Sequence, residues 1–380
     1  MTHRTIKGGG SGWEKVHAFL PEPLSPECKQ NIGRIARRAD VARIALMPDV
    51  HLADHVCVGA VIASRSHVYP QAVGGDIGCG VSAMRLHGSV DDLDAPAARR
   101  ILQRLAETVP AIKWPVRQPL EALRDCAFRQ PELQRVLERD GAVQLGTLGR
   151  GNHFVELCGD ERRRPWLLVH SGSRGLGKAV RDHYCSTPLG SRLCALEADS
   201  ERGRAYLHDA ELCVLYAQKN RERIREAAMR ALEEPLGWRP EADTARDMVH
   251  NQVRREEHLG EPLWVHRKGA SSARQQEPGI IPGSMGSHSY LVSGRGDARS
   301  LCSSSHGAGR ALSRTAAEIR ISPQDLITQM EGIYFEEQRA AQLVSEAPTA
   351  YKPISRVMRA QKELVRIEAK LTPVLNFKAG

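Results

Sequence analysis

The chain has 380 residues, of which 41% are hydrophobic and 26% charged, so it is long enough to bury a sizeable core and is not expected to be disordered. It contains no run of about 18 apolar residues, which argues against a membrane span. The first residues also lack the hydrophobic core of a secretion signal. Nine cysteines without a CxxC pair indicate reduced thiols, so we expect a cytoplasmic protein that does not contact a membrane.

The formal net charge is +9, which favours a polyanionic partner such as nucleic acid, although a solvated basic surface explains the same excess. Aromatic residues make up only 4% of the chain, too few for a broad base-stacking surface. If nucleic acid binds, we therefore expect phosphate contacts to dominate.

Strand and helix signals alternate along the whole chain. The predicted strands, in chain order, cover residues 43–47, 58–63, 80–86, 154–157, 166–169, 263–266 and 289–293. The predicted helices cover residues 96–109, with Asp94 as the cap, then 209–234, then 322–343 from an N-cap at Ser322, and finally 355–371. A further helix is expected just before His250. Composition alone gives an α/β or α+β fold.

Gly-, Ser- and His-rich segments follow these strands from residue 47 to residue 310, so one site built from the whole chain is more economical than separate domains. Asp76 and Cys79 share a tight glycine-rich loop, where a carboxylate and a thiolate can reach one borderline metal ion. His153, His170 and His250 add imidazoles in similar loops. Each pattern alone is also typical of an ordinary turn or a buried histidine, but together they form a metal-type ligand set.

Two further loops can present backbone amides to a phosphate. One is HSGSRGLGK (170–178), which ends a buried strand, and the other is GIIPGSMG (279–286). The first also matches GxxxxGK, but Ala179 stands where a P-loop needs Ser or Thr for magnesium, so a P-loop is disfavoured. Plain turns remain the alternative for both segments.

His306 lies among small residues and is sterically open, and a neutral imidazole is a competent nucleophile. Arg310 and Arg314 can hold phosphate charge beside it. A small-residue helix start is the alternative. The whole inventory suits metal-assisted phosphoryl or nucleotidyl transfer, and the lack of a GxSxG serine argues against acyl transfer.

At this point the segments resemble those of a known family. They are MPDVH (47–51), VGGDIGCG (73–80), LGRGNHFVE (148–156), HSGSRGLG (170–177), HN (250–251), RKGA (267–270), GIIPGSMG (279–286) and SHGAGR (305–310). In this order they are similar to the RtcB family of GTP-dependent RNA ligases, which join 3′-phosphate or 2′,3′-cyclic phosphate ends to 5′-hydroxyl ends. The similarity runs from about residue 40 to the end, while the first 40 residues match little.

The resemblance implies a role for each matching residue. Two Mn ions would be bound by Asp76, Cys79, His153, His170 and His250, with Cys79 bridging them. His306 would attack the α-phosphate of GTP and carry GMP as a phosphoramidate. The guanylate would be held by Asn152, His153, Phe154, Val155, Glu156, His250, Asn251, Pro282, Gly283, Ser284, Met285, Ser289, His306, Gly307, Ala308, Gly309, Tyr351 and Lys378.

The remaining implied roles concern RNA. Arg174, Lys268, Arg310 and Arg314 would hold the RNA phosphate, and Asp49 would help to orient the guanylate. An activating partner such as archease is a further candidate. The implied fold is a single α/β (α+β) domain over residues 1–380, with mixed sheets and surrounding helices around a central metal and nucleotide cleft.

The sequence departs from the family pattern in three places. Leu52-Ala53-Asp54-His55 replaces a glycine-containing turn, Arg150 interrupts a glycine triplet, and the segment between Arg85 and Gly141 is compact. These changes leave the candidate ligands and His306 in place, so they concern the choice of substrate. An RNA ligase acting in RNA repair or tRNA splicing is the main hypothesis. A paralogue that guanylylates or heals RNA 3′ ends without efficient sealing, and a non-catalytic RNA-binding protein, are the alternatives.

Overall fold

A computed structural model describes residues 4–5, 11–124, 126–185 and 193–378. Its strands are β1 (Arg4–Thr5), β2 (Val16–Ala18), β3 (Val41–His51), β4 (Val58–Ser64), β5 (His67–Val68), β6 (Gly80–His87), β7 (Phe154–Gly159), β8 (Pro165–Ser171), β9 (Leu196–Glu197), β10 (Arg239–Pro240), β11 (Arg246–Val249), β12 (Asn251–His258), β13 (Glu261–Lys268), β14 (Ala270–Ser272), β15 (Pro278–Ile281), β16 (Ser289–Gly294), β17 (Ser303–Ser305) and β18 (Val365–Phe377). Its α-helices are α1 (Pro26–Ala36), α2 (Ala95–Thr108), α3 (Pro131–Val136), α4 (Ala142–Gln144), α5 (Gly175–Tyr184), α6 (Glu201–Leu236), α7 (Arg314–Arg320), α8 (Pro323–Gln329), α9 (Ala340–Leu343) and α10 (Ile354–Ala360).

Two large sheets organise the described residues. One has six strands in the order β1-β2-β3-β4-β13-β12, and it is mixed because β2 runs parallel to β3. The other has eight strands, in the order β10-β6-β8-β7-β18-β16-β15, with β11 also paired to β6. The predicted α/β fold with mixed sheets is therefore confirmed.

The sheets stack through their apolar faces. Met47 and Val61 of the six-stranded sheet pack with Tyr290 and Val292 of the eight-stranded sheet in one buried cluster. The opposite face of the eight-stranded sheet, including Leu157, packs against α2 and α6. Helix α1 covers the outer face of the six-stranded sheet. All seven residues of β8 are buried, as expected for a strand covered on both faces.

The predicted strands are confirmed, and so are the first two predicted helices. Asp94 accepts a hydrogen bond from the amide of Ala97 at the start of α2. The helix predicted over 209–234 lies inside α6, which is longer at both ends. Among the described residues, no helix combines the length and the apolar character needed to cross a membrane.

Three helix predictions are wrong in part or in full. Ser322 caps a helix as predicted, but α8 ends at Gln329, and only short helical turns follow up to residue 343. Residues 246–249 before His250 form strand β11, because they pair with β6. The helix predicted over 355–371 ends at Ala360, and β18 follows, because its residues pair with both β16 and β7.

Candidate active site

Strand register brings four of the five candidate metal ligands to one place. Gly80 at the start of β6 pairs with Ser171 on β8 and with Val249 on β11, while His170 pairs with Phe154 on β7. The residues just outside these pairs are Cys79, His250 and His153. The thiol and the three imidazoles therefore lie at the same end of these neighbouring strands, although they are far apart in sequence.

The donor atoms of these residues are in contact. The Cys79 Sγ atom lies 3.4 Å from His153 Nε2 and 3.3 Å from His170 Nε2. His153 Nε2 lies 3.1 Å from Asp76 Oδ2, and His170 Nε2 lies 3.4 Å from His250 Nε2. Two groups result, one of Asp76, Cys79 and His153 and one of Cys79, His170 and His250, each with ligand atoms within 4.8 Å of one another. Cys79 belongs to both groups.

Burial keeps these imidazoles neutral. It lowers the pKa of His153, His170 and His250, which leaves ring nitrogens with lone pairs free to bind a cation. Burial also raises the pKa of the Cys79 thiol, and the Asp76 carboxylate raises it further. Burial would raise the pKa of Asp76 as well, but its hydrogen bond with His153 and the charge of Arg174 lower it to about 2.

A second carboxylate orients His306. The Asp49 side chain is fully buried, and its Oδ2 lies 2.6 Å from His306 Nδ1 and 3.2 Å from the backbone nitrogen of the same residue. The His306 ring also lies 4.9 Å, between centroids, from that of His250. If Nδ1 donates to Asp49, the lone pair of Nε2 is free to react.

A cleft of about 270 Å³ adjoins both features. Its walls include fourteen of the residues implicated in nucleotide binding. They are Asn152, Phe154, His250, Asn251, Pro282, Gly283, Ser284, Met285, His306, Gly307, Ala308, Gly309, Tyr351 and Lys378. Asp76, Cys79 and His170 line the same cleft, so the metal-type ligands and the candidate nucleotide residues share one space.

Three of the residues implicated in nucleotide binding lie behind this wall. Val155 packs into the core under the helices. Glu156 is buried and accepts hydrogen bonds from Ser289 Oγ at 3.4 Å and Asn376 Nδ2 at 2.7 Å. Burial raises the pKa of Glu156 to about 7. The alternation of side chains along β7 explains why its Phe154 faces the cleft and Val155 does not.

Three of the four candidate RNA-binding cations line the cleft. Lys268, Arg310 and Arg314 line it, and the ammonium of Lys268 donates to the backbone carbonyl oxygens of Asp54 and Val56. Burial lowers the pKa of Lys268 to about 8. Arg174 is not part of the cleft wall. Its guanidinium lies behind the metal-type ligands, 3.3 Å from His153 Nδ1.

Glu346, which the sequence did not single out, organises the far wall. Its carboxylate pairs with Arg310, Arg314 and Lys378 and accepts a hydrogen bond from Tyr351 Oη at 2.5 Å. Burial alone would raise its pKa, but the charges of Lys378 and Arg314 lower it to about 2. Its position five residues before Tyr351, which the resemblance implicates in nucleotide binding, was the available signal.

Two other residues of the site were missed. His51 lines the cleft, and its presence in the MPDVH segment was the signal. Arg221 is fully buried on α6, where it pairs with Asp247 and donates to the carbonyl oxygens of Gly78 and Ser171. It thereby ties together the loop of Cys79 and the strand of His170. Nothing distinguishes Arg221 from the other arginines of α6 in the sequence.

Comparison with known proteins places the chain. A family model described as tRNA-splicing ligase RtcB matches residues 32–138 and 113–379. The chain is 34% identical over 397 residues to the RNA-splicing ligase RtcB of Escherichia coli strain K12, covering 94% of this chain and 95% of that protein. It is 29% identical to the RNA-splicing ligase RtcB2 of Escherichia coli strain ATCC 25922, covering 92% and 91%. It is also 29% identical to the tRNA-splicing ligase RtcB of Archaeoglobus fulgidus, covering 88% and 86%. The chain belongs to the RtcB family.

Proposed function

We propose that this chain is an RNA ligase that joins RNA 3′-phosphate or 2′,3′-cyclic phosphate ends to 5′-hydroxyl ends, using GTP and two Mn²⁺ ions, in RNA repair or tRNA splicing. The names of its relatives, which are RNA- or tRNA-splicing ligases, support the reaction class. The observation that carries the proposal is the contact of His306 with Asp49 beside the five clustered metal-type ligands.

The donor set fits metal ions. Asp76 Oδ1 is buried without a hydrogen-bond partner among the described residues. The Nε2 atoms of His170 and His250 lie 3.4 Å apart, and no carboxylate in the described part of the chain pairs with either ring. Asp76, Cys79 and His153 would hold one ion, and Cys79, His170 and His250 the other. When bound, the ions supply charge that neutralises phosphate oxygens and orients the leaving group. A bridging thiolate is the least typical ligand for Mn²⁺ and is the one that most needs testing.

Asp49 prepares His306 for the first step. Asp49 accepts a hydrogen bond from Nδ1–H, which leaves the proton on Nδ1 and the lone pair on Nε2. That lone pair attacks the α-phosphorus of GTP. A bond forms between Nε2 and phosphorus, the bond to the β-phosphate oxygen breaks, and pyrophosphate leaves. The carboxylate of Asp49 also compensates the positive charge that develops on the ring. The guanylate would lie in the cleft, against the wall that includes Asn152, Met285 and Tyr351.

The next steps use the RNA ends. The RNA 3′-phosphate attacks the guanylate phosphorus, and the bond to His306 Nε2 breaks, which leaves an activated 3′ end. The 5′-hydroxyl then attacks the RNA phosphate, and GMP leaves. A cyclic phosphate must first be opened by water. Arg174, Lys268, Arg310 and Arg314 would hold the RNA phosphate through these steps.

The proposal is tested by incubating the purified protein with Mn²⁺ and α-³²P-GTP. An acid-labile, base-stable protein–GMP adduct is expected with the wild type and with His87→Ala, and no adduct with His306→Ala. His87 is an exposed histidine at the far end of β6, about 23 Å from its start, and so is a matched control.

A second assay separates sealing from end modification. Oligonucleotides with a 3′-phosphate and a 5′-hydroxyl are added to the adduct, with and without an archease-type activator. Joined product supports the ligase, whereas RNA that stops at a guanylylated 3′ end indicates the healing paralogue. If no adduct forms even with the activator present, the proposed reaction is wrong.

A further inference from the structure

The loop that carries Asn152 and His153 also carries an exposed arginine, Arg150. Gly149 packs so closely against the guanidinium of Arg174 that a Cβ atom there would collide with it, and Gly151 packs in the same way against Arg314. Arg150 lies between these two contacts and is exposed. The loop therefore has a guanidinium group on either side and a third one directed to solvent.

The same loop is continuous with an irregular surface segment. Two amides at 148–149 donate to carbonyl oxygens at 110–111, each at 2.9 Å, and the amide of Trp114 donates to the carbonyl oxygen of Val143 at 2.8 Å. Residues 111–118 therefore begin beside the loop of Arg150, and at their other end the amide of Gln118 donates to the carbonyl oxygen of Ala142 at 2.6 Å. We call residues 111–118 together with Arg150 the ledge.

The ledge carries uncompensated positive charge. Lys113, Arg117 and Arg150 are exposed, and no carboxylate in the described part of the chain pairs with any of them. Other exposed cations do find acids, such as Lys178, whose ammonium is 2.6 Å from Asp182. None of residues 111–118 is buried, and Ile112 and Val116, each directly before one of the cations Lys113 and Arg117, are 48% and 65% exposed.

We propose that the ledge binds the backbone of an RNA strand whose reacting end lies in the cleft. This inference rests on the proposed function, which places a polyanionic strand at the mouth of the cleft. Unpaired guanidinium and ammonium groups bind successive phosphates without reading the sequence. The exposed aliphatic groups give the ribose and base faces an apolar surface. The ledge would thus favour RNA that extends several nucleotides beyond its reacting end.

The test compares two triple variants that remove the same charge. The ledge variant, Lys113→Gln/Arg117→Gln/Arg150→Gln, removes all three positive charges of the ledge. Arg99→Gln/Arg100→Gln/Arg162→Gln is the matched control, because these three arginines are also exposed and form no ion pair among the described residues. Arg162 follows β7, whereas Arg150 precedes it, and the strand separates them by about 17 Å.

The readout is the dissociation constant of a fluorescent single-stranded RNA with a 3′-phosphate, measured over a series of salt concentrations. Each phosphate contact contributes about 0.7 to the slope of log K against log salt for a single strand. The ledge variant should therefore lose about 2 from the slope, and Arg150→Gln alone about 0.7. The control variant should keep the wild-type slope, and both should keep the wild-type melting temperature.

Two results would overturn the inference. Equal losses in the ledge and control variants would mean that only net charge matters. An unchanged slope in the ledge variant would exclude RNA contacts there, and a lost response to an archease-type activator would then assign the ledge to a protein partner. The GTP adduct of the wild type is measured separately, so failure of the proposed function is distinguishable from failure of the ledge.

Discussion

The contact between Asp49 and His306 makes two contributions to the reactivity of the imidazole. It fixes the ring proton on Nδ1, and it places the negative charge of the carboxylate beside the ring. Asp49→Ala removes both and should slow adduct formation by about 10³-fold, within the range expected for a lost proton acceptor. Asp49→Asn should lose less, because an amide oxygen can still accept from Nδ1. Single-turnover rates with α-³²P-GTP measure the difference.

A matched control is available for this pair. Asp243 is exposed and has a left-handed backbone, with a φ of 59°, that asparagine also tolerates, so Asp243→Asn should keep the wild-type rate. If Asp49→Ala retains most of the wild-type rate, Asp49 does not prepare the nucleophile. A wild-type melting temperature in the variant would exclude misfolding as the cause of a loss.

The sequence identified the candidate ligands better than their supports. Asp76, Cys79 and the histidines stand in glycine-rich loops, where residue type and spacing already suggest chemistry. Glu346 and Arg221 act through partners distant in sequence, and an arginine on a helix that carries several others has no signal of its own. Long-range pairing of this kind is fixed by tertiary structure. Metal and nucleotide binding by the site stay predictions.

At the scale of elements, the turn after β8 determines where Asp76 can lie. A Cβ atom at Gly172 would collide with the Asp76 carboxylate, so only glycine lets that carboxylate approach the turn. Gly172→Ala should displace Asp76 and weaken Mn²⁺ binding at least tenfold, because a ligand is misplaced. Isothermal titration with Mn²⁺ measures the loss.

The same turn provides the control for that measurement. Apart from its chain neighbours and its own helix, the nearest atom to a Cβ at Gly175 would be the far end of the Gln144 side chain, at 3.2 Å. Gly175→Ala should therefore bind Mn²⁺ as the wild type does. Equal affinities of the wild type and Gly172→Ala would show that Asp76 is not a ligand.

Element prediction succeeded where local pattern and tertiary context agree. The buried apolar runs of β6 and β8 predict strands and form them. Residues 365–371 have good helix formers in Glu368, Ala369 and Lys370, yet they form the first half of β18, because pairing with β16 outweighs intrinsic helix propensity. The 322–343 prediction failed for a related reason, since the amide of Tyr334 donates to the carbonyl oxygen of Val374 and its carbonyl oxygen accepts from the amide of Asn376, which a continuous helix would prevent.

At the scale of the molecule, the candidate metal site lies where the two large sheets meet. Cys79, His153 and His170 sit on or beside strands of the eight-stranded sheet. His250 follows β11 of that sheet and directly precedes β12, the edge strand of the six-stranded sheet. A cation held by these residues would connect both sheets through one centre, so binding should oppose unfolding of the whole chain.

Thermal unfolding checks this coupling. A ligand that binds only the folded state stabilises it by about 2.7 kcal/mol at one hundred times its dissociation constant, so saturating Mn²⁺ should raise the melting temperature by a few degrees. His250→Ala should lose most of this rise, because it removes the ligand nearest the junction. His87→Ala, on the exposed end of β6, should keep all of it. A rise that persists in His250→Ala would place the stabilising cation elsewhere, and a chain that shows no rise at all would have no metal centre joining its sheets.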